Sequence, residues 1–174
     1  MHIRTKRKPL VAIGALLTVG LLFVAALARS AGGTPPVTAS AGSTPPVPVK
    51  PVLLARGTIA GGFKIRVDGI KMNVAGPVDV AVADLMFQPG GTTGWHVHPG
   101  VTLVTVKSGT VTRTLAHGCK RERFQAGQAF VEEPNVVHMV RNLGTVPAET
   151  IVTFVVPVGA PPLTPEPAPA GCNP

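Results

Sequence analysis

The sequence has no tyrosine, two cysteines, few charges and little helical periodicity. Past residue 28 hardly any stretch repeats its apolar residues at helical spacing, which argues against a helical bundle. Only 14% of the residues are charged, and the formal net charge is +8. Arg4, Lys6, Arg7 and Lys8 carry four of the positive charges, and from Arg29 onward twelve Lys/Arg stand against eight Asp/Glu, a net of +4. Apart from Lys120-Arg121-Glu122-Arg123 these charges are scattered. A short mixed run of that kind is a solvated strand or loop face, so no nucleic-acid partner is expected.

Glycine (20) and proline (19) are abundant, and much of the proline lies at the two ends. Residues 1–9 are basic, and residues 10–28 are apolar apart from Gly14, Thr18 and Gly20. Ala26-Leu27-Ala28 has the small-x-small form that signal peptidase accepts. Residues 1–28 therefore read as a signal peptide or, at about nineteen apolar residues, an uncleaved N-terminal membrane anchor. In either case the chain is exported across the cytoplasmic membrane: secreted, periplasmic or anchored at the outer face, with membrane contact only through this segment. Residues 29–51 form a Pro-rich linker that repeats Thr-Pro-Pro-Val at Thr34 and Thr44, and residues 157–174 form a Pro-rich C-terminal tail. Between them, residues 52–156 are long enough to bury one core. The even cysteine count of an exported chain favours a Cys119–Cys172 disulfide that staples the tail to the domain; two unrelated thiols are the alternative. Cys172 lies beside the terminus and is not read as catalytic.

The domain alternates with a period of two. Strands are expected over residues 63–67, 78–87, 101–107, 110–116, 121–124, 128–132, 136–141 and 149–156, separated by Gly, Pro, Asn and Asp. Turn signals at such short intervals indicate an all-β sandwich or barrel. Phe87, Phe130, Phe154, Met86 and Met139 are expected in its core.

One stretch carries the chemistry: Gly90-Gly91-Thr92-Thr93-Gly94-Trp95-His96-Val97-His98-Pro99-Gly100. On a strand, His96 and His98 share a face and Trp95 points the other way, as a wall of the barrel mouth. His138 and Asn142 follow downstream. Gly90, five residues, His96-x-His98, three residues, Thr102, six residues and Gly109 reproduce the first motif of the cupin family, with threonine where that motif has glutamate. Gly127, Pro134, His138 and Asn142 resemble its second motif. There six residues precede Pro134 rather than five, Val136 replaces a glycine, and the gap from proline to histidine is one shorter. The resemblance covers about residues 54–156.

It implies a double-stranded β-helix, or jelly-roll barrel, preceded here by the N-terminal apolar helix. It also implies a divalent metal held by His96, His98 and His138, a small-molecule ligand in the barrel, and a homodimer. Imidazoles suit Fe, Mn, Zn, Ni or Cu. Three of them leave open positions on the ion. Without the motif glutamate the ion would keep its full charge and favour an anionic ligand. Thr102 would then hydrogen-bond a metal-bound water, and Glu132 or Glu133 would supply a substitute carboxylate. Asn142 reads as a turn residue, and Arg113 and Arg141 as exposed strand positions. The functional expectation is a metal-dependent enzyme, dioxygenase-, isomerase- or lyase-like, on a small anionic substrate. The alternatives are a non-catalytic small-molecule or metal-binding module of the cell envelope, and a metal-free structural barrel.

Overall fold

A computed structural model describes residues 47–172. The signal or anchor segment, most of the Pro-rich linker and the last two residues lie outside the described residues. Among the described residues no helix is long and apolar enough to cross a membrane.

The described residues are all β apart from one short 3₁₀ turn, His117–Cys119. The strands are β1 (Val47–Pro48), β2 (Val52–Ile59), β3 (Phe63–Val67), β4 (Ile70–Val74), β5 (Val78–Phe87), β6 (Gly91–Thr92) and β7 (His96–Val97). They continue as β8 (Val101–Ser108), β9 (Thr110–Leu115), β10 (Arg121–Gln125), β11 (Ala129–Glu132), β12 (His138–Arg141), β13 (Ala148–Pro157) and β14 (Thr164–Pro165). Each run expected from period-two patterning is a strand. β2 and β4 go beyond that expectation: β2 lacks a clean alternation of apolar and polar residues, whereas Ile70-Lys71-Met72-Asn73-Val74 of β4 does alternate.

Two sheets pack against each other. The first runs β11-β8-β13-β5-β2, and the second joins β1, β6, β12, β7 and β14, with β9 and β10 attached through β12. Strict alternation in β5, β8 and β13 sends one face inward. Ala81, Ala83, Leu85, Phe87, Val104, Val106, Val152, Phe154 and Val156 meet Val111 and Val140 of the facing sheet in one core. Each large side chain buried there contributes roughly 1.5–3 kcal/mol. Gly100 lets the chain entering β8 pass against β13, where a Cβ would overlap the Val155 carbonyl.

Several side chains depart from expectation. Met86 is exposed, because in β5 it has the opposite parity to Phe87. Met139 and Trp95 leave the main core for a second cluster with Cys172, flanked by Cys119, Ala116 and Val137. Trp95 does point away from His96, but it packs under the disulfide rather than lining the barrel mouth. Arg113 is buried: its guanidinium bonds Glu122 at 2.5 Å and the Val131 carbonyl, and lies 5.2 Å from the Phe130 ring. Asn142 braces its turn: Nδ2 donates to the Phe87 and Val146 carbonyls, and Oδ1 accepts from Gly144 N–H.

β3 and β4 form a separate hairpin turned by Asp68 and Gly69, both at positive φ. Its register puts Ile65 opposite Met72 and Val67 opposite Ile70 on one exposed face.

Candidate metal centre

The site lies between the two sheets. Strand pairing sets His138 of β12 directly opposite His96 of β7. His98 follows on the same face as His96, with the two ring centroids 4.8 Å apart. The carboxylate comes from the facing sheet. In β11, Phe130 and Glu132 point inward while Val131 points out, and Glu133, just past the strand, keeps 59% of its side chain exposed. Glu132 is therefore the acid in the site, and Glu133 is excluded from it.

The register explains the threonine in the first histidine motif. Glu132 stands directly opposite Thr102 in the β11–β8 ladder. Residues directly opposite in an antiparallel pair share a face, about 5 Å apart. The carboxylate missing at Thr102 is thus supplied from the adjacent strand. This overturns the expectation that a bound ion would keep its full charge. Thr102 itself is fully buried, and its Oγ1 has no hydrogen-bond partner.

His96, His98, Glu132 and His138 are all buried, and their candidate ligand atoms lie within 4.8 Å of one another. All three imidazoles are oriented in the same way. His96 Nδ1 donates to the Gly94 carbonyl at 2.9 Å, His138 Nδ1 to the Val136 carbonyl at 2.8 Å, and His98 Nδ1 to the Pro162 carbonyl at 2.7 Å. A carbonyl only accepts, so the proton of each neutral ring sits on Nδ1 and the Nε2 lone pair faces inward. Gly94, at φ 70°, makes the turn that aims its carbonyl back at His96.

These lone pairs crowd the carboxylate. His98 Nε2 is 3.0 Å from Glu132 Oε2, and His138 Nε2 is 3.1 Å from Oε1. His138 Nε2 and Glu132 Oε1 are buried without a hydrogen bond. Four electron-rich atoms turned on one point call for a cation among them. The set fits a divalent metal, with imidazole and carboxylate donors suited to Fe, Mn, Zn, Ni or Cu. Burial pushes the Glu132 carboxyl up; hydrogen bonds from His138 and His98 would hold it at about 2 only with protons on Nε2, and with lone pairs there that role falls to a cation. Burial, reinforced by His138, lowers His96 to about 4, so this ring stays neutral, the form that binds metal.

Three of the four, His96, His98 and Glu132, border a small cavity of about 30 Å³. Leu85, Phe87, Val104, Val152, Phe154 and Leu163 make most of its wall. Thr93 and Thr150 add hydroxyls, and neither Arg113 nor Arg141 lines it. The Thr150 hydroxyl is buried without a partner.

Motif reading missed the C-terminal segment. Residues 157–172 return over the site: β14 pairs with β7, setting Pro165 opposite His96 and Thr164 opposite Val97. Pro162 orients His98 and Leu163 walls the cavity. The Cys119–Cys172 disulfide is formed, with Cα atoms 5.4 Å apart across 53 residues of sequence.

Residues 83–154 match the family model described as Cupin domain. No curated protein sequence matches the chain. A conserved protein with a double-stranded β-helix domain from Klebsiella pneumoniae subsp. pneumoniae MGH 78578 is 27% identical, over 50% of this chain and 76% of that one, with a TM-score of 0.43. A cupin-like protein from Thermotoga maritima MSB8 is 26% identical, over 51% of this chain and 65% of that one, with a TM-score of 0.45. An oxalate oxidase in complex with the substrate analogue glycolate is 26% identical, over 49% of this chain and 45% of that one, with a TM-score of 0.42. The chain thus spans under two thirds of the second structure and under half of the third.

Proposed function

We propose that this chain, which carries a cupin domain, is an exported metal-dependent enzyme that holds one divalent ion on His96, His98, Glu132 and His138 and acts on a small molecule in the barrel. The observation that carries the reading is the convergence of three inward-facing Nε2 atoms and one buried carboxylate beside an apolar cavity. Bound there, the ion would polarise a substrate oxygen or, if redox-active, exchange electrons with it.

The residues limit the substrate. One carboxylate against a dication leaves a single net positive charge, which accepts a neutral or monoanionic oxygen donor. No lysine or arginine lines the cavity, so an anionic group would be met at the ion and nowhere else. The remaining walls suit a short apolar body, and the space is about that of two waters.

The full chain would be titrated with Mn²⁺, Co²⁺, Ni²⁺ and Zn²⁺ while its thermal midpoint is followed. An ion at about 100 times its Kd adds about 2.7 kcal/mol, a rise of several degrees. His138→Ala should abolish the rise. If no ion raises the midpoint of the wild-type chain, the metal reading is wrong.

The cavity's small size also favours a second reading, a non-catalytic binding module. The ion-loaded chain would be incubated with small carboxylates and enols. Product formation supports the enzyme, whereas stoichiometric uptake without product supports the module.

The same reading places the domain outside the cytoplasmic membrane as a homodimer. The disulfide supports an oxidising compartment. Exposed Val101, Leu103 and Val131 on the outer face of the first sheet support a covering second copy. Sedimentation of the chain as a monomer only would remove the dimer.

A further inference from the structure

The C-terminal strap, residues 157–172, is built with few fastenings of its own. Pro161, Pro162, Pro165, Pro167 and Pro169 have no backbone N–H, so five donors are missing from a nine-residue run. Its backbone bonds to the barrel are correspondingly few. The β14–β7 ladder contains two residue pairs, and Glu166 N–H donates to the Trp95 carbonyl at 2.9 Å.

The strap is instead fixed at its ends. At its start, Gly159 N–H donates to Asp79 Oδ2 at 2.9 Å, and Arg56 bridges Asp79 to the Ala160 carbonyl. At its far end, Cys172 is buried against Trp95 and Met139 and bonded to Cys119. Between these points lie Pro162, which accepts from His98, Leu163, which walls the cavity, and Pro165, which stands opposite His96. Cys119, by contrast, is half-buried and holds a left-handed φ of 50° in an otherwise exposed turn.

We infer that the Cys119–Cys172 disulfide governs retention of the metal, because it holds the strap whose Pro162 carbonyl orients His98 and whose Leu163 closes the cavity. This inference rests on the metal reading above. The controlling step is thiol–disulfide exchange. A dithiol attacks the S–S bond and gives up two electrons and two protons. The bond breaks to two cysteine thiols, and the dithiol closes to its own disulfide. Freed at that end, the strap keeps its Asp79 and Arg56 fastenings, the two-pair ladder to β7 and the Glu166 N–H bond to the Trp95 carbonyl, but loses its one covalent cross-link to the barrel. His98 then loses its acceptor, its ring is free to turn, and the cavity opens to water. Pro162 is thus a positioning residue, acting through its backbone carbonyl.

The test uses the full chain and Co²⁺ as the probe ion. Oxidised chain is compared with chain reduced by a dithiol, alkylated at both thiols and cleared of reductant, and with the Cys119→Ser/Cys172→Ser double variant. Two quantities are read: the Co²⁺ dissociation constant against a competing chelator, and the imidazole N–H signals of the metal-free chain by proton–nitrogen NMR. Loss of the group that orients a metal-binding imidazole weakens binding by about 10–100-fold, and that loss is expected in both bridge-free forms. The His98 Nδ1–H signal should vanish while those of His96 and His138 persist, which also shows that the barrel remains folded. Equal Co²⁺ affinity with all three signals retained would overturn the inference. If all three signals collapse together, the bridge supports the whole fold rather than one histidine, which also overturns it. If the oxidised chain binds no Co²⁺, the metal reading falls, while the NMR signals still decide whether the bridge holds His98.

Discussion

Two of the three site histidines are held by their own turns, and the third is held by the far end of the chain. His96 and His138 each donate to a carbonyl two residues behind them. His98 donates to a carbonyl 64 residues ahead. A contact across two residues forms whenever the local backbone forms, and little entropy is lost in closing so short a loop. A contact across 64 residues depends on everything between, and here on a proline-rich strap tied down by a disulfide. The same chemical arrangement is therefore built twice by a robust route and once by a breakable one. The breakable arm is the natural place for control.

The comparison can be broken most forcefully at the bridge. Closing 53 residues of chain with a disulfide is worth about 4 kcal/mol in the chain-entropy model. Cys172→Ser is therefore expected to lower the thermal midpoint by about 10 °C, as calorimetry would show. Next come the rings themselves. His96→Ala and His98→Ala are each expected to weaken metal binding at least about 100-fold, beyond the effect of losing an orienting partner. Chelator competition measures this, and equal losses from the two arms would show that the ion uses both alike.

The local arm has its own weak point. Gly94→Ala forces a side chain into a left-handed conformation, and about 1–2 kcal/mol of destabilisation is expected in urea unfolding. The smallest effect is on pH dependence. Hydrogen bonds from Thr58, Gly159 and Arg56 lower Asp79 from 3.8 to about 2. A carboxyl lowered on folding stabilises the native state above its unfolded pKa, and the contribution fades as pH falls from about 4 towards 2. Asp79→Asn should flatten that part of the midpoint-against-pH curve and leave the curve above pH 5 parallel to wild type.

What the sequence disclosed follows the same division. Period-two patterning gave the strands of the core, and the His-x-His spacing gave His96 and His98, because both signals are local. His138 was legible through its spacing from Gly127 and Asn142. Glu132 was ambiguous with Glu133 until β11 was anchored by Phe130, whose inward face fixes the parity. Its replacement of the carboxylate missing at Thr102 is a statement about strand register, which a single strand does not carry. Pro162 could not be read at all, because it acts through a backbone carbonyl and any residue has one. Arg113 departs from its expected exposed position for a related reason: its partners Glu122 and the Val131 carbonyl come from the adjacent strand β10 and from β11 of the facing sheet.

The central claim is that a cross-strand glutamate completes a metal site whose motif lacks one. Elemental analysis of the full chain, purified without a metal-binding tag and reconstituted with divalent ions, tests it most directly when wild type is run beside Glu132→Gln and Glu133→Gln. The account predicts about one ion per chain in wild type and Glu133→Gln, and a strong loss in a folded Glu132→Gln. Wild-type occupancy in Glu132→Gln would contradict it.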